Sequence, residues 1–148
     1  MEKTAQFEDI KQACLKCSAC TLAEKRSQVV FGEGNPQADL MLIGEAPGEE
    51  EDKQGIPFVG RAGQLLTKSL EAVGIQRGTD TYITNICKCR PPSNRTPEVE
   101  EANACIHWLM DQIETINPKI LVLVGSVAMK TILNPDLTLI GLKIAYHQ

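Results

Sequence analysis

Three features of the sequence predict an α/β fold with a parallel sheet. Short apolar runs at 39–45 ("DLMLIGE"), 81–89 ("TYITNICKC") and 119–125 ("KILVLVG") have the length and composition of buried strands. Segments with apolar residues at helical spacing separate them. Strand and helix therefore alternate, which is the order that builds a parallel sheet through helical crossovers.

Taken in order, residues 4–16 read as a short helix with Phe7, Ile10 and Cys14 on one face. "QVVFGEG", 28–34, is expected as a short edge strand, and 39–45 as the first buried strand. "RAGQLLTKSLEAVGI", 61–75, reads as a helix with Leu65, Leu66, Leu70 and Val73 turned inward. The β-rich run 81–89 is the second buried strand. Thr96, Pro97 and the acids at 98 and 100 signal a helix start. That helix carries Val99, Ala102, Ile106, Leu109, Ile113 and Ile116 on a stripe, and Pro118 ends it. The run 119–125 is nearly all apolar, as expected when helices cover both faces of a sheet. Ser126 is expected to cap a last helix over 127–133.

In such sheets ligands bind outside the carboxyl ends of the strands. The loops there are 44–60, 85–96 and 125–126, so they should converge on one crevice. The first is unusual. "GEAPGEEEDKQGIPFVGRAG", 44–63, combines glycine turns, a run of four acids, Phe58, and Arg61 between further small residues. Acid runs favour solvated faces, whereas glycines let a backbone come close to something.

With 148 residues the chain is long enough for one domain with a proper core, and 1–148 is read as a single domain. No apolar run approaches the ~20 residues of a membrane span. The start, "MEKTAQFEDI", lacks the apolar stretch of a signal peptide. A soluble, cytoplasmic monomer with no membrane partner is expected. A net charge of −4 argues against broad coating of nucleic acid, not against a local basic patch.

Six cysteines are many for a reducing compartment, where metal binding is a better use than disulfides. Cys17-x-x-Cys20 can grip one metal centre from a single turn. Cys89 and Cys105, with fifteen residues between them, can meet if the helix carrying Cys105 packs back on the strand before Cys89. Four thiolates suit zinc or an iron–sulfur cluster, and the spacing does not choose between them. Small buried apolar residues are the alternative use of a cysteine. Cys87 is read as a packed thiol, and Cys14 offers a second spacing, Cys14-x-x-Cys17.

The set "CSACTL", "VVFGEGNP", "GEAPGEEEDKQGIPFVGRAGQLL", "NICKCRPPSNRTPEVEEANAC" and "NPKILVLVGSVA" resembles, in order and spacing, the family-4 uracil-DNA glycosylases of the iron–sulfur type. The resemblance covers about 17–130. It implies a three-layer α/β/α sandwich around a mostly parallel sheet, a 4Fe–4S cluster with zinc as the fallback, and excision of uracil from DNA in base excision repair. It makes Cys17, Cys20, Cys89 and Cys105 the metal ligands and leaves Cys14 outside the pattern.

A base inside a duplex must be flipped out to reach a pocket. The resemblance then gives Phe58 as the stacking face and Glu51 as the side chain packed at uracil C5, where thymine carries a methyl. Gly44, Gly48, Gly60 and Gly63 permit close approach, and Glu49 and Glu50 are expected in solvent. Asn85 ends a strand that points into the crevice. Its amide offers one acceptor and one donor side, which suit uracil N3–H and O4 and oppose the reversed pattern of cytosine. Mismatched buried polar groups cost roughly 1–3 kcal/mol each. Where better-known uracil glycosylases read Gly-Gln-Asp-Pro, the matching position is Ala46, so catalysis would rest on Asn85, Glu45 and backbone donors. Lys88, Arg90 and Arg95 in the acid-free loop 85–96, with Arg61, are the expected phosphate contacts.

The family also carries a His-Pro-Ser or His-Pro-Ala motif about thirty residues beyond the stretch matching "LVGSVA". The sequence ends at Gln148 without it, and His147 in "AYHQ" lacks the following proline. The expectation is a family member lacking its last strand and helix. The alternative to an active glycosylase is an impaired or inactive iron–sulfur DNA-binding remnant.

Overall fold

The computed structural model describes residues 2–17, 27–91, 93 and 96–133. The elements run α1 (Glu2–Leu15), β1 (Glu33–Gly34), β2 (Leu40–Gly44), α2 (Glu49–Gln54), α3 (Arg61–Ala72), β3 (Thr81–Asn85), α4 (Val99–Ile116), β4 (Ile120–Leu123) and α5 (Ser126–Ile132). Among the described residues the sheet has the order β1-β3-β2-β4. β2 pairs parallel with β3 and β4, and β1 adds antiparallel to β3 at the edge.

Alternation along the strands sorts the core into two layers. Met41, Ile43 and Tyr82 face one side, with Phe7 of α1, Leu109, Ile113 and Ile116 of α4, and Ala128 and Ile132 of α5. Leu42 and Ile83 face the other, with Leu66 and Leu70 of α3. Helices on both faces of a mostly parallel sheet make the expected α/β/α arrangement.

Several local expectations need correction. Leu65 and Val73 are 67% and 70% exposed, so α3 turns inward only the narrow stripe of Leu66 and Leu70. β4 is not covered on both faces. Leu121 and Leu123 join the main core, while Ile120 is 58% and Val122 38% exposed on the face that α3 does not reach. β3 stops at Asn85 rather than 89. α4 begins at Val99, not Pro97, because the Glu101 carboxylate accepts the Glu98 amide (2.8 Å) and sets the cap there. Ser126 is the first residue of α5 rather than its cap, and Gly125 takes the cap position at φ +96°. The acid run, expected as loop, forms α2. Its four acids fill the first turn, where the helix dipole favours negative charge, and Gly55 closes it in the left-handed region.

No helix among the described residues is long and apolar enough to cross a membrane.

Candidate active site

The cleft forms where β2 and β3 end. Their pairing does not stop with the strands. Ile86 N–H donates to the Gly44 carbonyl (2.9 Å) and Cys87 N–H to that of Glu45 (3.0 Å). The two loops therefore leave the sheet side by side. A cavity of about 450 Å³ opens between them and α3. Glu45, Ala46, Gly48, Glu51, Phe58, Arg61, Asn85 and Pro91 contribute to its wall. Residues 125–126, expected here, are not among the lining residues.

Gly44 is the pivot of this cleft. It pairs across the parallel ladder with Asn85. A Cβ on Gly44 would lie 2.5 Å from Asn85 Oδ1 and 2.8 Å from Phe58 Cε2. The aromatic ring and the amide thus converge on one Cα, and only glycine leaves them room. Asn85 is 3% exposed, and among the described residues its side-chain amide makes no hydrogen bond. The amide is left to the cleft.

Glu51 lines the cleft, but its carboxylate accepts three backbone N–H groups: Gly48 (2.9 Å), Val59 (3.0 Å) and Gly60 (2.7 Å). It staples the start of α2 to the turn after Phe58. An amide in its place has one acceptor oxygen and brings an N–H₂ donor against donors. Glu51→Gln is therefore expected to lower unfolding stability by about 1–3 kcal/mol, read from urea denaturation. An unchanged midpoint would show that the staple adds nothing.

The acids beside Glu51 behave differently. Glu49 and Glu50 are exposed and lie near Lys53, at 3.2 and 3.8 Å. Glu49 holds the pKa of the Lys53 ammonium up and Glu50 adds to this. Arg61 is exposed at the first residue of α3. Arg95 lies outside the described residues.

Lys88 is not a surface cation. It is 1% exposed, and its Nζ donates to Thr84 Oγ1, the Asn85 carbonyl and Gln112 Oε1, each at 2.6 Å. Burial pushes its pKa down to about 8, against the opposing pull of Cys105 and other nearby thiols. A phosphate cannot reach it, so the expected DNA contact at Lys88 is withdrawn. Gln112, fully buried, completes the network by donating to the Phe31 carbonyl at 2.8 Å. Sequence reasoning gave no hint of Gln112, because a lone glutamine in a helix carries no pattern.

The cysteines come from three elements. Cys17 follows α1, Cys89 follows β3, and Cys105 sits inside α4. Burial pushes the Cys14 thiol up to about 12, and Cys105, Cys17 and Cys89 all lie near enough to add to that effect. Two N–H groups already point at sulfur: Lys88 N–H at Cys105 Sγ and Trp108 Nε1–H at Cys17 Sγ, both 3.3 Å. Cys14 and Cys87 are fully buried in the main core. Cys20 lies outside the described residues. Among the described residues no three His, Cys, Asp or Glu side chains form a metal-holding group.

Comparison with known proteins decides the family. The sequence profile of the uracil DNA glycosylase superfamily matches residues 31–147. The chain belongs to the uracil DNA glycosylase superfamily. Among curated members it is 53% identical over 123 residues to the type-4 uracil-DNA glycosylase of Thermotoga maritima, covering 83% of this chain and 64% of that one. It is 49% identical to that of Sulfurisphaera tokodaii (85% and 57%) and 44% identical to that of Archaeoglobus fulgidus (86% and 64%). The chain thus spans roughly three fifths of the length of these superfamily members.

Proposed function

We propose that the chain is a uracil-DNA glycosylase of base excision repair, acting on deoxyuridine flipped out of DNA. The observation that carries this is the convergence on Gly44 of the Phe58 ring and the Asn85 amide, which has no hydrogen-bond partner among the described residues. A flat base fits between an aromatic face and one amide that reads its edge. The type-4 names of the similar proteins support the same reading.

In the reaction the C1′–N1 bond breaks and its electron pair goes to the uracil ring. Positive charge develops on the sugar, and water adds to C1′ and loses a proton. Asn85 Nδ2–H would donate to uracil O4 as the ring gains charge, while Oδ1 accepts from N3–H. Ala46 is half-buried and has no group to activate water. Glu45, beside it on the cleft wall, is the residue we assign to order the water. Gly48 and the stem of Glu51 shape the wall near C5. Arg61, which lines the cleft, is assigned to phosphates together with Arg90 and Arg95 of the basic loop.

Cys17, Cys20, Cys89 and Cys105 are the residues that would hold a 4Fe–4S cluster. The N–H groups of Lys88 and Trp108 aimed at two of these sulfurs suit thiolate ligands. When bound, such a cluster would cross-link α1, the loop after β3 and α4. Protein purified without oxygen is expected to be brown, with iron and acid-labile sulfide in equal amounts, and to lose helical circular dichroism as iron is stripped. Colourless protein carrying stoichiometric zinc would replace the cluster by a zinc site.

The activity itself is tested by incubating the protein with uracil-containing DNA and cleaving abasic sites with alkali. Strand breaks at uracil are expected. Tight binding without breaks would make the chain a reader of uracil rather than a glycosylase.

A further inference from the structure

We propose that Arg77 is the positioning residue for the Phe58 ring, a role that rests on the reading of Phe58 as the face on which uracil stacks. Phe58 has φ +53°, in the left-handed region. A bulky residue there costs about 1–2 kcal/mol relative to an ordinary conformation. The turn needs something to hold it.

Arg77 supplies the hold. Its Nη2 donates to the Pro57 carbonyl and its Nη1 to the Phe58 carbonyl (2.5 Å). The first carbonyl belongs to the peptide before the Phe58 Cα and the second to the peptide after it. One guanidinium therefore fixes both peptide planes that flank the Cα. Those planes set φ and ψ, and so the direction in which the ring leaves the backbone. The peptide after Phe58 is held at its other end as well, because the Val59 N–H donates to Glu51 Oε2. A cation at the carbonyl and a carboxylate at the amide grip the same plane from two sides.

Arg77 is itself fixed. Nη1 also donates to Thr67 Oγ1 on α3 (3.0 Å), and Nη2 pairs with Glu33 of β1 at 3.1 Å. Its side chain is only 13% exposed. Only arginine offers such a planar fork of donors, and lysine would present a single point. The first turn of α3 closes the remaining side. A Cβ on Gly63 would lie 2.6 Å from the Phe58 Cα and closer still to its carbonyl. Arg77 itself is not among the residues lining the cleft. Arg77 acts through the ring.

The test uses the full chain labelled with 4-fluorophenylalanine. Phenylalanine occurs three times, at 7, 31 and 58, so fluorine NMR gives three signals, assigned with Phe58→Leu. In Arg77→Met the Phe58 signal should shift or broaden while those of Phe7 and Phe31 stay. Titration with free uracil should show affinity falling about tenfold, the loss expected when stacking is misplaced. Phe58→Ala should cost about tenfold in the wild-type background and less than twofold beside Arg77→Met. A merely destabilising change would leave the two effects multiplicative. If Arg77→Met does not fold, Arg77→Lys is read in the same way, with a smaller displacement expected. An unmoved Phe58 signal with multiplicative losses overturns the proposal. A displaced signal in a protein that never binds uracil keeps the positioning role and removes the uracil reading instead.

Discussion

On the proposed function, Gly44→Ala is expected to cut uracil excision far more than it costs the fold. The new methyl would enter the space between Phe58 Cε2 (2.8 Å) and Asn85 Oδ1 (2.5 Å). Real Cβ contacts are never that close, so one or both groups must move. The backbone cannot easily relieve the clash, because Gly44 is fixed in register opposite Asn85 at the end of β2. Overpacking of this kind typically costs 1–3 kcal/mol in stability. The effect on excision should be larger, about 10²–10³, because Asn85 loses the place from which it is proposed to donate to the developing charge. Gly74→Ala is the control. Gly74 has positive φ (+78°), unlike Gly44, and nothing lies within 4 Å of its would-be Cβ. It should lose some stability and no uracil affinity. Equal loss of excision in both variants would show that general destabilisation, not the shared space at Gly44, is responsible.

Asn85→Asp should slow uracil excision by about 10²–10³ and weaken the bar against cytosine. The change removes the donor to O4 and sets a second acceptor in its place. A protonated carboxyl can donate to cytosine N3 and accept from its amino group, the reverse of the role proposed for Asn85. Asn85→Ala should lose uracil without gaining cytosine. The measurement is initial excision rate on single-stranded oligonucleotides carrying one uracil or one unmodified target cytosine. If Asn85→Ala excises uracil at the wild-type rate, Asn85 does not read the base.

What the sequence made legible was the part governed by local pattern. β2 and β3 are apolar runs with clear ends, and the stripe on α4 falls where the 3.6 period puts it, at Leu109, Ile113 and Ile116. Gly44 and Phe58 stood out because glycines and an aromatic inside an acidic loop need a reason. The misses concern partners that only the fold brings together. Lys88 looks like any lysine in a basic loop, and its burial depends on Thr84 and on Gln112, 24 residues away. Arg77 sits in the turn before β3 and shows no motif, yet it reaches back 19 residues to Phe58. Glu51 looks like one acid among four, and its three N–H partners appear only when the turn folds over it. α3 misled for another reason. Leu65 and Val73 are apolar but fall outside the stripe of Leu66 and Leu70 that meets the sheet.

The continuation of the β2–β3 ladder through Gly44–Ile86 and Glu45–Cys87 bears on who deforms when the partners meet. A cleft whose walls are hydrogen-bonded like a strand pair has its shape before any ligand arrives. Amide exchange at Ile86 and Cys87 should be as slow as within β3 and should not slow further with saturating uracil. On the proposed function, bending and unstacking then fall on the nucleic acid. Discrimination between substrates would track how readily each one gives up its base, so that a uracil opposite guanine leaves its helix, and is removed, faster than one opposite adenine.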